Sequence, residues 1–229
     1  MSLILNLETS TKSCSVALGR GDQILAFREE SSDQYIHSEK LHVFIEEVLK
    51  EAKVAYEDLR ALAVGMGPGS YTGLRIGVSA AKGFCFALGI PLISADGLQV
   101  LEDDFITNHK VKRGEAIIPM LDARRMEVYC AVHDYKGERK RDIEAKVIDQ
   151  DSFSKLKSSK IHLIGDGAEK CQQVLTDDRF VFHDLKYPSA KALNKIAQQH
   201  FSTKKFRDVA YFEPFYLKDF VAGKPKKLL

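Results

Sequence analysis

The 229-residue chain has no tryptophan, only four cysteines and six prolines, and a net charge of just +2. Cys14, Cys85, Cys130 and Cys171 stand far apart and none belongs to a C-x-x-C pair. Zinc and dithiol chemistry therefore have no support, and the thiols read as reduced core residues. A charge so close to balance does not by itself indicate a nucleic-acid binder. The short basic runs at 110–113, 139–141 and 224–227 read as solvated loops and a tail. No apolar run approaches the length of a membrane span, so no membrane partner is expected. The apolar start MSLILNLE is too short, and lacks the preceding basic residues, for a signal peptide, which leads to a cytoplasmic expectation. What is present is an ordinary globular mixture, 45% hydrophobic and 29% charged, enough for one large domain or two small ones.

Periodicity divides the chain into two runs of similar order. Residues 3–8, 13–18 and 23–28 read as three antiparallel strands, the last two joined by a turn at Gly19–Asp22. A helix is expected over 37–52, where Leu41, Phe44, Ile45, Val48, Leu49 and Ala52 keep helical spacing. A buried strand LRALAVGM, a helix over 71–88, a strand PLISA and a short helix capped by Asp96 follow. The order restarts at EAIIPMLDARRMEVYCAVHD, two strands about a turn at 122–125. A third strand over 140–148, a short helix capped by Ser152, the strand IHLIG, a helix after Gly165-Asp166-Gly167, the strand FVFH and a helix over 189–199 complete it. The expectation is an α/β chain with an N-terminal lobe at 1–108 and a C-terminal lobe with its basic tail at 109–229, a C-terminal segment being free to pack back on the first lobe. The lysine-rich stretch after Gly223 is expected to be mobile. A duplicated βββαβα is the plan of the actin/sugar-kinase/Hsp70 (ASKHA) superfamily, a likeness of fold rather than of function.

GMGPGSYTGLR, residues 65–75, raises the question of a phosphate loop. A Walker loop needs G-x-x-x-x-G-K-[ST], and here no lysine occurs before Lys82. A Rossmann turn needs a third glycine where this chain has Ser70. Pro68 removes one amide that a phosphate nest would use. A tight strand-to-helix turn, with Ser70 or Thr72 capping the helix, is the plain alternative. On that helix Arg75, Ser79 and Lys82 form one polar stripe, and most of the remaining circumference is apolar or small. Gly73, Gly77 and Ala81 allow another backbone to come close, either within the chain or across an interface. Phe86 falls at the angle of the polar stripe, to be covered by a later segment or exposed for a partner. The interface residues expected are Tyr71, Gly73, Leu74, Gly77, Val78, Ala81 and Phe86.

Together NLETSTKSCSVAL, HSEKL, GMGPGSYTGLRIGVSAAKGFCFALGIPL, LDARRMEVYCAV, GDGA and EPFYLK resemble the TsaB (YeaZ) family from Leu3 to about Lys218. The resemblance implies a role in making N6-threonylcarbamoyladenosine at position 37 of tRNA. It implies a non-catalytic subunit that dimerises with a TsaD-type catalytic subunit, with a TsaE-type ATPase as third component, tRNA reached through the complex, and a homodimer in isolation. The alternative is a free-standing ATP-dependent enzyme or an M22-like metallopeptidase of the same fold. TsaD-type proteins bind metal through H-x-x-x-H. Here His37 and His42 are five apart and point about 140° away from each other on a helix, so no metal site is expected. Within the superfamily pattern, Thr9, Ser10 and Thr11 with Gly165, Asp166 and Gly167 are the candidates for weak ATP or ADP binding. The second hairpin carries Asp122-Ala123-Arg124, without the superfamily's D-x-G glycine, so weak nucleotide binding and none both stay open. No nucleophile with an adjacent base is recognisable, and no catalytic residue is assigned.

Overall fold

A computed structural model describes residues 2–33 and 36–218; the stretch after Gly223 lies outside them. The first sheet is built from β1 (Leu3–Glu8), β2 (Ser13–Arg20), β3 (Gln23–Ser31), β4 (Ala61–Gly65) and β5 (Leu92–Ala95), in the order β3-β2-β1-β4-β5. Every residue of β1 is buried, because helices cover both faces of the strand. It pairs antiparallel with β2 (Leu5 opposite Leu18) and parallel with β4 (Leu5 opposite Leu62). The second sheet repeats this plan. It consists of β6 (Ala116–Asp122), β7 (Glu127–Asp134), β8 (Arg139–Val147), β9 (Ile161–Ile164) and β10 (Phe180–Phe182), in the order β10-β9-β6-β7-β8. Two sheets with the same internal order are the duplicated ASKHA plan.

One face of the first sheet is closed by α1 (His37–Ala52) and α2 (Tyr71–Leu88). The other face carries α5 (Ala190–Ser202), whose Leu193, Ile196 and Ala197 pack on Ile4, Ala63 and Ile93. Asn6 Nδ2 donates to Asn194 Oδ1 at 3.2 Å, tying α5 to β1. Between the sheets lies α3 (Gly97–Asn108), with Asp96 Oδ1 accepting from Gln99 N at 2.8 Å as its cap. Its Leu98, Leu101 and Phe105 are fully buried against Ile117, Leu121 and Ile164 of the second sheet. Side chains of that size contribute about 1.5–3 kcal/mol each on burial, so α3 ties the two sheets together.

Two expected helices are not formed as expected. Residues 150–155 make successive turns instead of a helix. Ser152 Oγ closes onto Asp149, accepting from its amide at 3.0 Å and donating to Oδ1 at 2.7 Å. Phe153 then adopts φ +65°, which a right-handed helix cannot contain, and buries its ring in the second core. After Gly165 the helix α4 (Asp166–Glu169) is only four residues long before it passes into turns.

The packing of α2 sets the tightest constraint in the first sheet. A β-carbon on Gly73 would overlap the carbonyl oxygen of Thr9, and one on Gly77 would overlap Thr9 Oγ1. The small-residue line thus faces the β1–β2 turn of the same chain. Gly73→Ala should lower the unfolding free energy by about 2 kcal/mol, since backbone must move to admit one methyl. Gly83→Ala, where a β-carbon meets nothing within 4 Å, is the control and should be neutral or stabilising. Urea unfolding of the two variants checks this.

Candidate functional site

The loop between β4 and α2 folds directly over the β1–β2 turn. Ser70 N donates to the Ser10 carbonyl at 2.6 Å, and Thr9 Oγ1 donates to Gly73 O at 2.8 Å. Ser70 Oγ caps α2 by accepting from Gly73 N at 3.2 Å. Glu8 sits beneath, its Oε1 accepting from Ser10 N at 2.7 Å, and a β-carbon on Gly65 would overlap its other carboxylate oxygen. Burial raises the Glu8 pKa, partly offset by the hydrogen bonds from Ser10. The glycines of GMGPGSYTGLR therefore serve close approach within the chain.

The expected nucleotide residues lie in two turns, 9–11 and 165–167. Thr9 and Ser10 are fully buried and Thr11 nearly so. They contact the loop and α2 rather than an open cleft. On the other side, Gly165 is held by its own bond to Leu185 O (2.6 Å) and abuts the backbone of Met120. Gly167 is buried, and Asp166 Oδ1 accepts from Asp122 N at 3.0 Å. Burial pushes Asp166 up to about 6. Lys170 pairs with Asp122. Two carboxylates, Asp122 and Asp166, line the second turn, and a cleft of about 280 Å³ opens beside Gly165.

The expected interface residues separate into two sets. Gly73, Leu74, Gly77, Val78 and Ala81 are buried inside the chain and cannot meet a partner, because the small side of α2 lies on the β1–β2 turn. Tyr71 and Phe86 lie outside. Phe86 is 86% exposed, and Val43 of α1 is 46% exposed. The polar stripe also has an internal use. Lys82 Nζ donates to Ala210 O (3.1 Å) and Phe212 O (3.0 Å), and the Arg75 guanidinium lies 4.1 Å from the centre of the Tyr71 ring and donates to Tyr216 Oη at 3.4 Å. Arg75 and Lys82 thus strap the chain after α5 across α2, and Phe86 lies clear of it. His37 and His42 are not paired. His37 is buried with Nε2 3.3 Å from Ser13 O, and His42 lies against Phe84 on the exposed side. Among the described residues no group of three His, Cys, Asp or Glu side chains is placed to hold a metal ion.

A model of the family described as "TsaD: tRNA N6-adenosine threonylcarbamoyltransferase" matches residues 31–218. The chain is 28% identical to the Escherichia coli "tRNA threonylcarbamoyladenosine biosynthesis protein TsaB", over 96% of each chain. YeaZ from Pseudomonas aeruginosa superposes with a TM-score of 0.79 at 25% identity, over 95% of this chain and 100% of that one. The chain belongs to the TsaB (YeaZ) family. Likeness to the ethanolamine utilization protein EutJ from Carboxydothermus hydrogenoformans, TM-score 0.50 at 7% identity, is one of fold alone.

In this TsaB-family chain the sheets also meet through a polar cluster that sequence reasoning missed. Asp96 takes a bidentate bond from Arg139 NH2 (3.0 and 2.8 Å), while Arg139 Nε donates to His133 Nε2 at 3.2 Å. Asp96 was legible as a helix cap, but its second partner lies 43 residues away on β8. The β7–β8 turn covers Glu102 of α3 so closely that a β-carbon on Gly137 (φ +82°) would overlap the carboxylate. Burial pushes Glu102 up to about 8, with Asp103 and Asp134 adding to the rise and Lys195 and Arg139 opposing it. Burial and then Arg139 push His133 down to about 4.

A carboxyl whose folded pKa exceeds its unfolded value contributes stability that is complete below the unfolded value, near 4.5, and is lost as pH rises through about 8. Glu102→Gln cannot ionise. The stability gap in favour of this variant should widen by about 2–4 kcal/mol between pH 5 and pH 9. Urea unfolding at both pH values reads the gap, and a pH-independent gap would refute the burial argument.

Proposed function

We propose that this chain is the non-catalytic partner subunit of a cytoplasmic complex that transfers a threonylcarbamoyl group to adenosine 37 of tRNA. It acts by dimerising with a TsaD-type catalytic subunit, with a TsaE-type ATPase as the third component. In isolation it pairs with a second copy of itself. The observation that carries this reading is the outer face of α1 and α2. Phe86 of α2, a full aromatic ring at 86% exposure, has no role in the chain's own core, and Val43 of α1 is exposed as well. Aromatic rings so placed are typical anchors of specific interfaces. The relatives' shared name supports the pathway. The β1–β2 turn is buried under the start of α2, with the Thr9 hydroxyl donating to Gly73 O, which favours a supporting rather than a phosphate-handling role. In this reading the lobes divide near residue 108, and α5 returns from the second lobe to cover the first.

The interface is tested by the mass in solution. Light scattering of wild type, Phe86→Glu and Val43→Glu, each with and without a TsaD-type subunit, should show wild type dimeric alone and heterodimeric with the partner. Phe86→Glu should lose at least about 2 kcal/mol of association, a shift of roughly 30-fold or more in Kd, with its thermal midpoint unchanged. Folded variants that associate as tightly as wild type would move the interface away from α1 and α2.

A further inference from the structure

The segment after α5 is anchored at five places along its length, one of them the Arg75 bond to Tyr216. Arg207 N donates to Leu92 O (2.8 Å) at the edge of β5, and Arg207 Nε donates to Ser94 Oγ (2.8 Å). Lys82 holds two carbonyls at 210 and 212, and Phe215 N donates to Met66 O at 2.7 Å. Lys218 finally pairs with Glu127 and reaches Ala123 O on the β6–β7 turn. A strap fixed so often should have its rings packed inward. Phe206 lies against Phe201 and Tyr216 against Tyr71, but Tyr211 is 85% exposed. An open cleft of about 400 Å³ lies beside Tyr211, floored by Met66 and Phe212.

Cations flank these rings. Lys204, Lys205 and Arg207 are exposed at one end, and none of them pairs with a carboxylate among the described residues. At the other end, beside the Lys218 anchor, Arg124 and Arg125 are exposed, equally without a carboxylate partner, and both have positive φ (+69° and +48°). The two residues form the tight turn between β6 and β7, which sets both side chains at the surface. Of the nearby carboxylates, Asp208 is turned back to accept from the amides of Ala210 (2.8 Å) and Tyr211 (3.1 Å). Glu127 is neutralised by Lys218, and Glu213 is the acidic group left on the strap.

Exposed ring faces between unpaired cations are the chemistry that holds a single-stranded nucleic acid, whose bases stack on aromatic side chains while phosphates meet Lys and Arg. We infer that this strap is an RNA-binding surface of the chain itself. Tyr211 stacks an unpaired base over the cleft, and Lys204, Lys205 and Arg207 at one end and Arg124 and Arg125 at the other take phosphodiesters. The choice of tRNA as the RNA rests on the function proposed above. The surface is separate from Phe86, which lies beyond the strap on α2.

The test is fluorescence anisotropy of a labelled, unmodified tRNA transcript against the full chain, alone and bound to a TsaD-type subunit, over a range of salt. Wild type should bind with affinity that falls as salt rises. Tyr211→Ala should weaken binding about tenfold. Lys204→Ala/Lys205→Ala should flatten the salt dependence by about 0.7 per lost phosphate contact. Both variants should keep the wild-type thermal midpoint and the wild-type mass with the partner subunit. Phe86→Glu should keep tRNA affinity in the free chain, so failure of the dimer reading and failure of this one are told apart. Wild type without salt-sensitive tRNA binding in either form, or variants that bind tRNA as wild type does, would overturn the inference. So would variants that lose the partner subunit but keep tRNA, which would mark a protein-docking face, or displacement of tRNA by equimolar ATP, which would mark a nucleotide site.

Discussion

The approach of α2 to the β1–β2 turn, closer than a β-carbon permits, is the constraint on which the rest of the first lobe depends. Gly69, Gly73 and Gly77 face Ser10 and Thr9 without side chains of their own, and the amide of Ser70 and the hydroxyl of Thr9 close the contact as hydrogen bonds. Helical glycine costs about 1 kcal/mol relative to alanine, and this contact is what offsets it. One consequence is chemical. Thr9, whose hydroxyl an ASKHA fold could turn toward a phosphate, donates to the chain's own helix, and the Ser10 amide is held by the buried Glu8 carboxylate.

A second consequence is geometric. With its small side committed inward, α2 turns Arg75, Ser79, Lys82 and Phe86 outward. Arg75 and Lys82 each find a partner in the returning C-terminal strap. Phe86 finds none, and the asymmetry separates two surfaces: an apolar one at Phe86, and an aromatic and cationic one along the strap. The first suits a protein partner and the second a polyanion.

The lobes themselves are joined by α3, which belongs to the first run of elements but buries its apolar residues in the second. Beside this apolar contact stands the polar group of Asp96, Arg139, His133 and Glu102. Its members titrate in opposite senses. Burial raises Glu102 to about 8 and lowers His133 to about 4, so each is favoured neutral where the lobes meet. Rising pH acts against Glu102, and falling pH acts against His133. The junction is thus held by apolar packing and the half-buried Arg139–Asp96 ion pair.

Much of the fold was legible because local signals agreed with the global plan. The spacing of Leu41, Phe44, Ile45, Val48 and Leu49 placed α1 at its observed bounds, and α2 covers the expected 71–88 with Ser70, of the two candidates, as its cap. The failed helix at Ser152 shows the limit, since the same serine can close a turn when the next residue, Phe153, is drawn into the core at positive φ. The sequence by itself determined the repeated order of strands, the family likeness carried by GPGSYTGLR, and the choice between a Walker loop and a turn. These are properties of residue type and spacing. Only the tertiary structure decided which way the glycine line faces, that Thr9 and Ser10 are closed off, that Arg75 and Lys82 hold the strap, and that Asp96 meets Arg139. Each of those depends on residues brought together from distant parts of the chain, and pairwise contact between segments far apart in sequence leaves no periodic mark in either of them.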